Sequence, residues 1–115
     1  MAIQDQFDLI AVDTRIATGI EIILAPGHTP GHIVPVISSG SEQLVCICDL
    51  AHHPLEFVQP DLCLPDFAPE QARATRTQIL SRIEENSMLV FACHFHFPGL
   101  GHIVQQGDVW LRQPI

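Results

Sequence analysis

Apolar residues in this chain gather in short runs of strand length, each bounded by Pro, Gly, Ser or Asp. Residues 20–24, 33–37, 43–48 and 88–92 form such runs, and a looser alternation over 7–12 predicts a further strand before a turn at Asp13, Thr14 and Arg15. Ser38-Ser39-Gly40-Ser41-Glu42 joins the second run to the third, which reads as an antiparallel hairpin. Pro35 removes one ladder donor and predicts that its strand is an edge or is bulged there. From Pro69 to Asn86 the period changes. Pro69 suits a first helical position, Glu70 an acid-favouring first turn, and Ala72, Ile79, Leu80 and Ile83 share one face, leaving Arg73, Thr77, Glu84 and Glu85 for solvent. Residues 49–67 are rich in Pro and His and read as irregular, with a short helical turn near Leu55. The chain closes with a hairpin of residues 103–105 and 109–111 around Gln106-Gly107-Asp108, and Trp110 reads as a core or interface residue.

The central runs place apolar residues on both faces, Ile20, Ile22 and Leu24 with Ile23 opposite, Leu44, Cys46 and Cys48 with Val45 and Ile47 opposite, so both faces of their sheet are built to be covered. One helix covers one face. The other would exceed the roughly 300–600 Å² of contiguous apolar surface that monomers tolerate, so a partner is expected against it. A length of 115 residues with 47% hydrophobic content fits one domain and excludes general disorder. No run is long enough to span a membrane, and the N-terminus has neither a basic region nor an apolar one, so a cytoplasmic address is expected. The net charge of −8, with dispersed arginines and no lysine, argues against nucleic acid. Cys46, Cys48, Cys63 and Cys93 show no Cys-x-x-Cys spacing and read as buried free thiols, with Cys93 beside a candidate ligand.

The candidate chemistry centres on Ala25-Pro26-Gly27-His28-Thr29-Pro30-Gly31-His32, a loop stiffened by Pro and Gly between two apolar runs. Asp49 ends the run before it, and so does His94. If those strands lie side by side, His32, Asp49 and His94 converge at one rim, and two imidazoles with a carboxylate suit a divalent ion: zinc first, with Mn or Fe served by the same donors. The serines of the hairpin turn offer no nucleophile elbow.

This ordered set, PGHTPGH, then Asp49, a helix, and a strand running into His94-Phe95-His96-Phe97-Pro98-Gly99-Leu100-Gly101-His102, resembles the C-terminal half of the metallo-β-lactamase fold superfamily. The ending is similar to the branch of organophosphate and lactone hydrolases. The resemblance implies an α/β chain forming half of an αββα sandwich: one mixed or antiparallel sheet with one main helix, as a single domain over residues 1–115. It implies His32 as a terminal ligand, Asp49 as a carboxylate bridging two metals, and His94 as the last ligand. The other half of that fold carries His-x-His-x-Asp-His, which this sequence lacks. Its one His-x-His, at His94 and His96, is followed by Pro98 and Gly99.

A homodimer packed sheet to sheet about a twofold is therefore expected to stand in for the second layer, a separate chain being the other solution. The function expected is a metal-dependent hydrolase of a small ester, lactone or phosphoester, competent once a second chain completes the site. The alternatives are a non-catalytic module binding metal or a small molecule, and a structural remnant or fragment of a longer hydrolase. Around the three ligands, His28 reads as a structural residue of its loop. His52 and His53 read either as groups orienting Asp49 or as exposed loop histidines, and His96 and His102 as support for the His94 loop.

Overall fold

The computed structural model describes residues 3–62 and 65–115, so the expected loop thiol Cys63 lies outside the described residues. Seven strands form one sheet in sequence order: β1 (Thr14–Ala17), β2 (Ile20–Leu24), β3 (Ile33–Ser39), β4 (Glu42–Cys46), β5 (Leu89–Phe91), β6 (Leu100–Gln106) and β7 (Val109–Pro114). Every neighbouring pair is antiparallel except β4 and β5, which run parallel. A parallel pair needs a crossover, and this one contains α1 (Leu55–Val58) and α2 (Pro69–Glu85).

Helix α2 has Pro69 in its first turn and ends at Asn86, where Ser87 takes a left-handed φ of 50° and Met88 N–H returns to the Ile83 carbonyl. It buries Ala72, Arg76, Ile79, Leu80 and Ile83. Against them lies the row Val36, Val45 and Val90, adjacent in register across three strands, with Ile23, Val34, Ile47 and Ile103 around it. Trp110 belongs to the same core. A buried leucine such as Leu80 cut to alanine here costs about 2–5 kcal/mol.

The opposite face is bare in its middle. Ile20, Ile37, Leu44 and Leu89 are successive register partners across four strands, and Ile37 is 42% exposed and Phe91 37%. An open groove of about 500 Å³ runs over this face, floored by Ile37, Leu44 and Leu89.

Three expectations change. Residues 7–13 form no strand: Phe7 and Leu9 are exposed, and the tight turn at Thr18-Gly19 instead pairs Thr14 with Ile22, so that 14–17 take the one free edge of β2. Pro35 lies in an interior strand rather than at an edge. Its missing donor is harmless because the β3–β4 ladder begins one residue later, at Val36 and Val45. Cys46 and Cys48 are half-buried and Cys93 is exposed, all three as free thiols, because Cys46 ends β4 at the rim of the sheet and the turns after β4 and β5 carry Cys48 and Cys93 there. No helix among the described residues is long and apolar enough to cross a membrane.

Candidate metal centre

The topology brings three distant positions to one rim. The parallel pair β4 and β5 ends on the same side, so the turns carrying Asp49 and His94 are neighbours, and β3, antiparallel to β4, begins on that side with His32 just before it. Each turn is held in place. Ala25 N–H donates to the His32 carbonyl at 2.8 Å, closing the loop between β2 and β3. The same loop is fastened to the start of α2 by Phe67 N–H on the His28 carbonyl, Ala68 N–H on the Gly27 carbonyl and Thr75 Oγ1–H on the Pro26 carbonyl. Gly27 has φ of 141°, and a Cβ there would sit 2.3 Å from the Ala72 Cα, so only glycine permits this approach. Asp49 follows Cys48, a non-glycine residue at φ 50°, in the 3-10 turn Cys48–Leu50.

Asp49 is the hub. His94 Nε2 donates to Asp49 Oδ1 at 2.6 Å, while His28 Nε2 stands 3.6 Å from Oδ2 and His52 Nε2 3.6 Å from Oδ1. His32, buried, donates from Nδ1 to the Ala25 carbonyl at 3.0 Å and accepts the Asp49 N–H on Nε2 at 3.1 Å. The rings of His28 and His52 are 5.0 Å apart, and those of His52 and His94 4.8 Å. Three imidazoles thus face the Asp49 carboxylate, and a fourth accepts its backbone N–H. The bond from His94 is the main cause that holds the Asp49 carboxyl below its ordinary range, and burial is what lowers His32.

His32, Asp49 and His94, the three residues picked from sequence, are together, but the ligand-like separations belong to a different set. His28, Asp49 and His52 each present a ligand atom within 4.8 Å of the others. These donors fit a divalent ion, since tetrahedral ligands at zinc distances stand about 3.4 Å from one another. His53 is turned away, accepting Leu55 N–H on its Nδ1 at 3.1 Å. His96 is exposed, and its carbonyl accepts Gly99 N–H in the turn after β5. His102 lies in β6 rather than on that turn, and lines the open groove with Leu44 and Leu89.

Sequence reasoning missed the support beneath the rim. Glu56 accepts the His52 and His53 N–H groups on Oε2 at 2.5 and 2.9 Å, and its Oε1 takes Arg76 Nη2 at 3.1 Å. Arg76 Nε also donates to the Leu50 carbonyl at 2.9 Å. Both side chains are buried, Glu56 to 1% exposure. The signal was available, because Arg76 stands within the apolar stripe of Ala72, Ile79, Leu80 and Ile83, where a charge needs a buried partner. Asp66, which accepts His28 Nδ1–H at 2.9 Å and is 7% exposed, was missed as well.

No family model and no curated protein matches the sequence. Solved structures do. The chain is similar to AidC, a dizinc quorum-quenching lactonase in complex with a product, at 30% identity and a TM-score of 0.88, over 98% of this chain and 39% of that one. It is similar to the hydrolase AbOPH of the β-lactamase superfamily at 29% identity and a TM-score of 0.80, over 86% and 35%. The chain has the fold of the metallo-β-lactamase superfamily. A probable metal-dependent hydrolase from Staphylococcus aureus, 15% identical with a TM-score of 0.78 over 97% and 42% of the two chains, shares the fold. This metallo-β-lactamase-fold chain thus spans about two fifths of the length of the solved proteins it matches.

Proposed function

We propose that the chain is the metal-binding half of a zinc-dependent hydrolase acting on a small ester or lactone, completed by a second copy packed against its bare sheet face. The single observation that carries this reading is the convergence of four imidazoles on Asp49 at the rim of the sheet. The similarity to a dizinc lactonase supports the reaction class. The donor set is Asp49 with His28, His32, His52 and His94. A divalent ion held there supplies a Lewis acid and lowers the pKa of its water toward about 7.

The chain's own residues do the positioning. The Ala25 carbonyl sets the tautomer of His32, and the buried Glu56–Arg76 pair fixes the backbone that carries His52. Asp49 and His94 have side chains about two fifths exposed, so the centre opens to whatever lies against the rim. The need for a second layer is supported by the uncovered row from Ile20 to Leu89 and by the solved proteins carrying more than half of their length beyond the matched part.

The test is to load the chain with zinc and to follow both hydrolysis of a chromogenic lactone or ester and sedimentation. Turnover by a dimer, lost in Asp49→Asn, is the expected result. A zinc-loaded dimer without turnover refutes the hydrolase and leaves a metal-binding module. A well-behaved monomer at micromolar concentration refutes the homodimer.

A further inference from the structure

We infer that the cleft between α2 and the β6–β7 hairpin, on the helix-covered side of the sheet, binds a small free amino acid, its carboxylate on Arg76 and Trp110 and its ammonium toward Asp108. The inference goes beyond the reading above, since neither Asp49 nor any imidazole lines this cleft. Arg76, Thr77 and Ser81 line it from α2, and Asp108 and Trp110 from the hairpin. Its volume of about 200 Å³ is the room of about seven waters, which suits a ligand of roughly six to eight heavy atoms.

The donors come first. Arg76, 5% exposed, gives its Nε–H to the Leu50 carbonyl at 2.9 Å and an Nη2–H to Glu56 Oε1 at 3.1 Å. Its Nη1 has no acceptor among the described residues, and neither has the indole Nε1–H of Trp110, 7% exposed. No fully buried polar side-chain atom among those residues lacks a partner, so both nitrogens touch solvent, and the cleft is the space that both side chains border. Two almost fully buried side chains thus offer N–H groups to it. A planar guanidinium edge beside a second N–H suits a carboxylate, whose two oxygens accept from such a fork.

The charges around the cleft then select the rest of the ligand. Glu56 has its oxygens taken by Arg76 and by the N–H groups of His52 and His53, and Arg73, which also lines the cleft, is paired with Asp61 at 2.8 Å. Asp108 remains, exposed at the hairpin turn and without an ionic partner among the described residues. A bare anion is opposed by the chain's net charge of −8, and a bare cation by Arg76. A zwitterion escapes both costs. Its carboxylate meets the guanidinium, its ammonium meets Asp108, and it brings no net charge. The hydroxyls of Thr77 and Ser81, which have no partners among the described residues, can donate to the first group or accept from the second.

The experiment is a titration of the full chain, without zinc, with L-alanine, L-serine, acetate and ethylamine, followed by the ¹H–¹⁵N resonance of the Trp110 indole, the single one in the chain. Both amino acids should move it saturably at millimolar concentration. Acetate should bind at least about two- to fivefold more weakly, and ethylamine should leave the resonance in place. Asp108→Asn should weaken alanine by about two- to fivefold, the range of an exposed ion pair, without weakening acetate. Ser81→Leu, which fills the cleft, should abolish the shift. An indole that stays in place with both amino acids overturns the inference, as does acetate binding as tightly as alanine, and as does a shift that survives Ser81→Leu. None of these outcomes depends on metal or turnover, so they stand apart from the fate of the proposed hydrolase. The wild-type titration decides the matter even if a variant does not fold.

Discussion

Arg76→Met removes a buried guanidinium without emptying its space, and the structure says what it leaves behind. Glu56, 1% exposed, is left with only the His52 and His53 N–H groups as partners, and the Leu50 carbonyl loses its donor. Breaking a buried ion pair from one side costs about 3–5 kcal/mol. A chain of this length has a total stability of about 6–17 kcal/mol, so the loss is a large share of it. Urea unfolding followed by the fluorescence of Trp110, the single tryptophan and a core residue, reads the effect. With a slope of about 2 kcal/mol/M, the midpoint should fall by about 1.5–2.5 M. The double variant Glu56→Met with Arg76→Met removes both charges and should cost at least about 2 kcal/mol less than the sum of the single changes. It should still bind zinc weakly, because the backbone under His52 has lost its acceptor. A cost under about 1 kcal/mol for Arg76→Met, or strict additivity in the cycle, would refute the claim that this pair supports the rim.

Three further outcomes are expected. Gly27→Ala, which forces φ of 141° on a side chain and a contact with the Ala72 backbone, should cost roughly 2–4 kcal/mol in the same assay, while Gly31→Ala, with no atom within 4 Å, should cost under about 0.5. The urea midpoint of the metal-free chain should rise with pH from about 5 to 7. Burial holds His32 below its ordinary 6.5, so the unfolded chain binds more protons and stability is lost as pH falls through that value; Asp49, held low chiefly by His94, adds a second loss below 3.8, and His32→Gln should flatten the first slope. Ile37→Asp, in the middle of the bare row, should turn a dimer into a soluble monomer by sedimentation, and an unchanged dimer would place the interface elsewhere.

The sequence by itself was enough for the elements whose burial repeats with a local period. Helix α2 spans Pro69–Glu85 as its Pro start and 3.6-residue stripe require, and the apolar runs became β2, β3, β4 and β5 within a few residues. It also showed that His32, Asp49 and His94 sit at the ends of strands, since a polar residue that closes an apolar run is carried to a rim. What it could not supply was any relation between segments. The strand expected over residues 7–12 failed because an edge can be filled only once, and the Thr18-Gly19 turn gave it to 14–17. Which imidazoles come nearest to Asp49 depends on turns that lie side by side only when β4 and β5 run parallel, and on a loop pinned to α2 through Gly27. Likewise Arg76 and Glu56 are 20 residues apart, and although the apolar stripe around Arg76 calls for a buried partner, only folding decides that Glu56 is the one. Local periodicity is written in the chain because each element forms its own pattern, whereas the ligand geometry belongs to contacts that no single segment contains.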